Sequence, residues 1–575
     1  MARKTAEEFA KEQKEISVSE FFEKNKHLLG FDNPTKSLLM AVKEAVDNSL
    51  DACEEAGIVP DIIVKIKNVK EDVYVVSVQD NGPGIVKDQI PRVFGKLLYG
   101  SKFHRLKQSR GQQGIGISSV TLYSQLTTGE PTRVWSKIES QKKTYYVELH
   151  LNTVKNEPDI LKQEDIDKDI LGDSGVKVDM TLHGRYRRIV EDYLKYTSVS
   201  NPFAKITYTD PNGVKTIFPR SHNELPKQPK QMKPHPYGVE FGTLQRMLNN
   251  TSSRTVHSFL TNEFSSVGNQ SAKEICKVAK VDEGKKPSEL DRAMIEGLMK
   301  AMQKVKIQRP PLDCLSPIGS AELEKSLKKE YQNAEFVTTI NRDPEVYRGF
   351  PFMIEVGIVY GFQEEKKEEN GKKKKKQEED EDDRNGETIE LIRFANRVPL
   401  LYQQSACSLT QAVKEVDWKR YNLDQKGSNL PSGPMKLTVH ICSVWVPFVS
   451  ESKEAVAAYP EIIKEAKLAL QDAGRKLSIY LSGKRRAGEQ KRRIQIFERY
   501  SGEVAHALSI LTKRDAKPIE KKIRELVETK KHFKGEDEQE EEDSKQEAVQ
   551  EEDEGEDKPK TGGKKEDKNK ENKKK

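Results

Sequence analysis

The sequence predicts a multidomain α/β chain of the α+β sandwich kind: a mixed sheet layered with helices, a small helical domain, then a second α/β domain. Three observations predict it. A capped amphipathic tract at 31–57 is followed by short alternating apolar runs and glycine-rich loops. Residues 238–306 carry helical patterns only, behind a proline-rich linker. Strand-like runs then return and close on a long helical pattern after Pro460.

Taken in order, residues 1–30 are charged, with an amphipathic Phe21-Phe22 segment suited to packing on a partner. The first helix is expected over 31–57, where Asn33 suits the N-cap, Pro34 the first turn and Gly57 the C′ position. Glu44 and Asn48 stand at i and i+4 in it and share one face. A carboxylate there can orient and deprotonate a water. An amide oxygen one turn on can hold a hard Mg²⁺ that keeps most of its own waters.

The alternating run 73–79 reads as a strand that delivers Asp80 at its end. An aspartate so placed can accept a hydrogen bond from an adenine amino group, while Gly82 and Gly84 permit positive φ and close ligand approach. The third stretch, Gly111-Gln-Gln-Gly-Ile-Gly116, leads into a helix expected over 115–123. Its backbone N–H groups form a nest for polyphosphate oxygens. Each stretch alone is most often an ordinary solvated face or turn. In this order and spacing they build a complete ATP site without a Walker loop.

Strands at 145–151 and 176–182 continue the first sheet to about residue 225, and the prolines of 226–236 mark a linker. Helices are expected at 243–248, 256–262, 272–279 and 290–305. Their basic residues Arg246, Arg254, Lys273 and Lys277 read either as phosphate contacts or as a solvated face. From Arg309-Pro-Pro311 onward, strands are expected at 334–340, 352–360, 390–394 and 436–444. After Pro460, Ile462, Ala466, Ala469, Ala473, Leu477 and Leu481 recur at helical spacing. The low-complexity stretch 363–387 interrupts what reads as a hairpin and is expected to be a long solvated loop. Two decoys fall away. Gly483–Gly488 spells GxxxxG but is followed by Glu489 where a Walker loop needs lysine, and Asp165-Ile-Asp167 spells DxD in what reads as a polar loop.

Composition bounds the rest. The 575 residues allow three or four domains, and the net charge of +7 is small beside 99 basic and 92 acidic residues. Global charge therefore argues weakly for nucleic acid, and local patches must carry that case. Cys53, Cys276, Cys314, Cys407 and Cys442 form no CxxC pair and read as structural thiols of a reducing compartment. The first residues lack an apolar h-region and no run approaches a membrane span, so a cytoplasmic protein is expected.

At the three nucleotide stretches the chain resembles the GHKL (Bergerat-fold) ATPases. Leu97-Leu-Tyr-Gly-Ser-Lys-Phe103, Ser109-Arg-Gly-Gln-Gln-Gly-Ile-Gly-Ile117 and Leu122-Tyr-Ser124 sharpen the likeness to the B subunits of type IIB topoisomerases, the topoisomerase VI family. Lys233-Pro-His-Pro-Tyr-Gly238, Phe394-Ala-Asn-Arg-Val-Pro-Leu400, Asp417-Trp-Lys-Arg-Tyr421 and Val446-Pro-Phe448 with Lys453-Glu-Ala455 extend it over roughly residues 15–510.

The resemblance implies an N-terminal arm (1–30), a Bergerat-fold ATPase domain (31–225) and a helix–two-turns–helix domain (226–306). A transducer (307–470), a stalk helix (471–513) and a charged, largely disordered tail (514–575) follow. It implies Glu44 as general base, Asn48 on Mg²⁺, Asp80 on adenine, and Ser101, Lys102, Arg110, Gly111, Gln112, Gln113, Gly114, Ile115, Gly116 and Ile117 around the phosphates. By the same resemblance Lys453 is the lysine expected to reach the γ-phosphate; Ser452 before it departs from the family's usual glycine.

The implied partners are a second copy in an ATP-dependent dimer, double-stranded DNA, and a DNA-cleaving topoisomerase VI A subunit in an A2B2 heterotetramer, nucleoid-associated and archaeal-like. The alternative is a chaperone or MutL-like clamp of the same superfamily. A histidine kinase is disfavoured, because none of the 10 histidines sits in a two-helix segment before the ATPase stretch.

Deleting 363–387 is expected to leave ATP turnover within about twofold of the full chain, because so polar a segment cannot bury enough apolar surface to order itself. Steady-state ATPase rates of the two proteins check this, and a large loss contradicts the reading.

Overall fold

The computed structural model describes residues 16–17, 20–21, 24–102, 105–111, 114–167, 170–362, 388–450 and 452–526. Gln112, Gln113, the 363–387 insertion, most of the first 23 residues and everything beyond 526 lie outside the described residues.

The first helix, α1, runs from Pro34 to Ala56. Its ends are those the sequence predicts. The Asn33 side chain accepts from the Lys36 N–H at 2.8 Å, and Gly57 closes the helix at φ 73, a left-handed conformation that glycine adopts freely. Strands β1 (Asp61–Lys70) and β2 (Val73–Gln79) follow, the second with the predicted bounds. Then come α2 (Ile90–Gly95), α3 (Gly116–Thr128), β3 (Thr132–Lys137), β4 (Thr144–Asn152), β5 (Glu157–Ile166), β6 (Gly175–His183), α4 (Ile189–Ser200), β7 (Lys205–Thr209) and β8 (Lys215–Phe218).

The eight strands form one sheet in the order β5-β4-β3-β6-β2-β1-β7-β8. Only β1 and β7 pair in parallel; every other neighbour is antiparallel. Alternate residues such as Ile62, Val64 and Ile66 of β1 and Val76 and Val78 of β2 are buried in one core with Leu38, Val42 and Leu50 of α1 and Tyr193 and Leu194 of α4. Asp165 lies within β5, not in a loop, and pairs with Lys87 at 2.6 Å. The polar composition of β5 marks an exposed edge strand instead.

Helices α5 (Phe241–Asn250), α6 (Val256–Glu263), α7 (Asn269–Ala279) and α8 (Arg292–Lys304) enclose a separate core around Leu244, Phe259, Ile275 and Leu298. After α9 (Ser320–Glu330) a second sheet forms from β9 (Phe336–Asn341), β10 (Glu345–Tyr347), β11 (Phe350–Tyr360), β12 (Glu390–Ala395), β13 (Val398–Pro399) and β14 (Met435–Ser443), with α10 (Ser408–Glu415) between the last two strands. Its order is β10-β11-β14-β12-β13, with β9 on β11. The hairpin expected across the insertion is therefore not formed. All nine residues of β14 are buried, and it takes the central place, antiparallel to β11 and parallel to β12.

The long helix α11 spans Pro460–Thr512, and 516–526 are helical again, where the disordered tail is expected to begin. Ile462, Ala466, Ala469, Ala473 and Leu477 are buried as their spacing predicts, whereas Leu481 is only half-buried. Two compact units divide between Ile479 and Tyr480.

Candidate nucleotide site

A cavity of about 300 Å³ opens beside α1, within the size range of small-molecule sites. Glu44 and Asn48 line it from adjacent turns of the helix, as their i, i+4 spacing requires. Asp80 and Gly84 line it from the segment after β2, among Val78, Ile85 and Phe94. Ser101, Lys102, Gly111, Gly114, Ile115, Gly116 and Ile117 contribute the glycine-loop wall, and Lys453 reaches in from the loop after β14. Of the expected residues that are described, two do not line it. Gly82 turns its N–H to Asp80 Oδ1 at 3.0 Å, and Arg110 points its guanidinium into the protein.

Asp80 sits at the end of β2 and is buried. Its Oδ1 accepts from the Gly82 and Val176 N–H groups at 3.0 and 3.1 Å, and its Oδ2 from the Ser49 hydroxyl at 2.7 Å. A carboxylate has about four acceptor positions, so one on Oδ2 remains for an amino group. Burial pushes the Asp80 carboxyl above its ordinary value, against the pull of those three donors.

Glu44 faces the start of α3. A Cβ added at Gly116 would lie 1.8 Å from Glu44 Oε2, so only glycine lets loop and carboxylate approach this closely. Burial alone would raise the Glu44 carboxyl, but Lys43 at 3.5 Å and Lys453 outweigh it and hold it below the usual range. The group is therefore ionised at neutral pH. Behind it, Lys43 lies 3.4 Å from Asp47, whose Oδ1 accepts from the Tyr193 hydroxyl at 2.7 Å.

Lys453 has left-handed backbone, φ 53, and its Nζ donates to the Arg110 carbonyl at 3.0 Å. Burial pushes its ammonium down, while Glu44 pulls it back up. Next to it, Glu454 pairs with Lys36 of α1 at 2.6 Å, and the Ser452 hydroxyl bonds that of Ser450 at 2.9 Å. The serine that departs from the family's glycine is thus accommodated within the loop.

The residues that sequence reasoning passed over lie mostly on α1. Ser49 braces Asp80. Asp51 accepts from Lys102 at 2.5 Å and from Arg110 at 2.8 Å, and Glu54 accepts from Arg110 and, at 2.9 Å, from Arg397. The signal was present: Glu44, Asp47, Asp51 and Glu54 recur every three or four residues along a helix whose other positions are largely apolar. Arg397 falls in the Phe394–Leu400 stretch that carries the resemblance, but no spacing ties it to Arg110.

Burial raises the Asp51 carboxyl, but Lys102 and Arg110 overcome that and hold it far below the carboxylate range. Because the folded pKa is depressed, this contribution to stability is full above the unfolded value near 4 and is lost as pH falls through the folded one. Asp51→Asn leaves the buried Arg110 short of one anion and is expected to destabilise by about 3 kcal/mol. Urea denaturation at pH 7 measures it, and a change below about 0.5 kcal/mol contradicts the pairing argument.

Among known families, residues 34–154 match the "Histidine kinase-, DNA gyrase B-, and HSP90-like ATPase" family and residues 310–493 match "Topoisomerase VI B subunit, transducer". The B subunit of type 2 DNA topoisomerase 6 from Methanococcoides burtonii is 48% identical over 497 residues, covering 86% of this chain and 76% of that protein. The Archaeoglobus fulgidus protein of the same name is 47% identical, covering 82% and 75%. That of Pyrococcus horikoshii is 37% identical, covering 91% and 97%. Agreement of this depth over most of every length leaves one conclusion: the chain belongs to the family of type 2 DNA topoisomerase 6 B subunits.

Proposed function

We propose that this cavity binds and hydrolyses ATP, and that the chain acts as the B subunit of an ATP-dependent type IIB DNA topoisomerase. The observation that carries the proposal is convergence. A helix bearing Glu44 and Asn48, a strand-end Asp80, a glycine loop and a lysine from the second sheet all meet in one cavity. Asp80 receives the adenine amino group on its remaining acceptor position. The N–H groups of the glycine loop, with Ser101 and Lys102, hold the polyphosphate.

Among the described residues no group of three His, Cys, Asp or Glu side chains is spaced to hold a metal. The amide oxygen of Asn48 fits Mg²⁺ that takes its other ligands from phosphate and water. When bound, the ion offsets negative charge on the phosphates. Glu44, ionised, orients a water and takes its proton. Lys453 exchanges the Arg110 carbonyl for a phosphate oxygen, which makes the arrangement of the second sheet depend on the nucleotide.

In this reading two chains dimerise on binding ATP and enclose a DNA duplex, while a separate A subunit cuts and rejoins another, in an A2B2 complex associated with the nucleoid. No described helix is long and apolar enough to cross a membrane. The far part of α11 supports a partner. Phe497, Tyr500, Val504, Leu508 and Leu511 recur at helical spacing and are 59, 52, 47, 37 and 79% exposed. An exposed apolar stripe of this length suits a docking face for the A subunit.

Glu44→Gln is expected to retain an ATP analogue with Mg²⁺ while hydrolysis falls by about two to four orders of magnitude. Analogue titration and single-turnover kinetics check this, and near-normal turnover would remove Glu44 from the role. Tyr500→Asp with Leu511→Asp is expected to abolish co-purification of a co-expressed A subunit and leave analogue binding unchanged. Retention of the A subunit on that double variant counts against the stripe.

A further inference from the structure

The segment leading into the glycine loop is bonded residue by residue to the second sheet and the chain before it. The Gln108 side chain exchanges two hydrogen bonds with the Ser316 backbone, 2.7 and 2.8 Å. Asn396 Nδ2 donates to the Ser109 carbonyl at 3.0 Å, and Lys453 Nζ to the Arg110 carbonyl at 3.0 Å. Arg110 is also gripped by its side chain. Its guanidinium donates to Asp51, Glu54 and Asn201.

Arg397 closes this arrangement into a ring. It donates to the same Glu54 carboxylate at 2.9 Å, and its carbonyl accepts from Asn201 Nδ2 at 3.2 Å and the Ser200 hydroxyl at 2.7 Å. Arg110, Glu54, Arg397 and Asn201 are thus linked in a circle, with both arginines only 5% exposed. Arg397 also occupies an unfavourable backbone. It is the second residue of the two-residue turn between β12 and β13, where Asn396 and Arg397 have φ 49 and 65. Glycine is the ordinary choice for such a position, and another residue costs about 1 kcal/mol. The turn carries an arginine there despite that cost. Lys453, whose Nζ bonds the Arg110 carbonyl from another loop of the second sheet, also lies at positive φ.

We propose that Arg397 is a positioning residue for the nucleotide loop, acting through Glu54 on Arg110 and coupling the loop to the second sheet at a point separate from Lys453. The proposal rests on the reading of that loop as phosphate-binding. Lys453 can release the Arg110 carbonyl to reach a phosphate while Arg397 and Glu54 still hold the guanidinium. The loop then turns about Arg110 instead of peeling away with it.

Arg397→Gly tests this, because glycine keeps the left-handed turn and only the side chain is lost. In the full-length chain, hydrogen exchange is followed by mass spectrometry, and binding of a non-hydrolysable ATP analogue with Mg²⁺ by titration. Amides of 108–117 are expected to exchange faster while β12 and β14 keep wild-type protection, and analogue affinity to fall about tenfold. Unchanged loop exchange with unchanged affinity overturns the proposal. So does faster exchange spread evenly through β12 and β14, the mark of a turn that matters only for folding. Should the glycine variant not fold, Arg397→Lys, which keeps the charge and loses the fork, is read the same way. If the wild-type chain binds no analogue, the nucleotide reading falls, and loop exchange alone still decides the role of Arg397.

Discussion

A guanidinium taken out of water must be met by carboxylates, and Arg110 imposes that condition beneath the glycine loop. Asp51 and Glu54 meet it from α1, one turn and two turns beyond Asn48. The helix that presents Glu44 and Asn48 to the cavity is thereby the helix that fixes the residue bordering the loop opposite them. Arg397 then makes Glu54 shared property of both sheets. Loop, helix and second sheet are held at one buried point, and the cavity's shape follows from it.

This explains the placement of Lys453. Its ammonium, half-buried, lies in the field of Glu44, Lys43, Asp47 and Asp51, and its one described hydrogen bond is to a backbone carbonyl. A phosphate oxygen offers such a cation far more than a carbonyl does. Under the proposed function the contact to Arg110 is therefore the one that nucleotide replaces, whereas the charge pairs of Arg110 itself are not easily exchanged. A ligand shifts a conformational balance only by its preference for one state, and under the proposed function the Lys453 contact supplies that preference.

Much of the fold was legible because its local signals agree. The Asn33 cap, Pro34 and Gly57 set the bounds of α1, and the alternation of 73–79 set β2. The hairpin across the insertion was misjudged because strand order depends on burial of β14 on both faces, which no local period encodes. The DxD stretch was misjudged because an edge strand can be as polar as a loop. In the site, spacing brought Glu44, Asn48, Asp80 and the glycine loop together. It could not separate Arg110, whose backbone borders the loop, from its side chain, which turns inward to acids a helix away. Arg397 is nearly 290 residues from Arg110, and only folding reveals that they share a carboxylate.

The most direct test is the structure of the full chain bound to a non-hydrolysable ATP analogue with Mg²⁺. The expected result has the adenine amino group on Asp80 Oδ2 and Lys453 Nζ moved from the Arg110 carbonyl to the γ-phosphate. Arg110 should still be paired with Asp51 and Glu54. An analogue bound with Lys453 still on the Arg110 carbonyl, or with Arg110 withdrawn from both acids to the phosphates, would contradict the account.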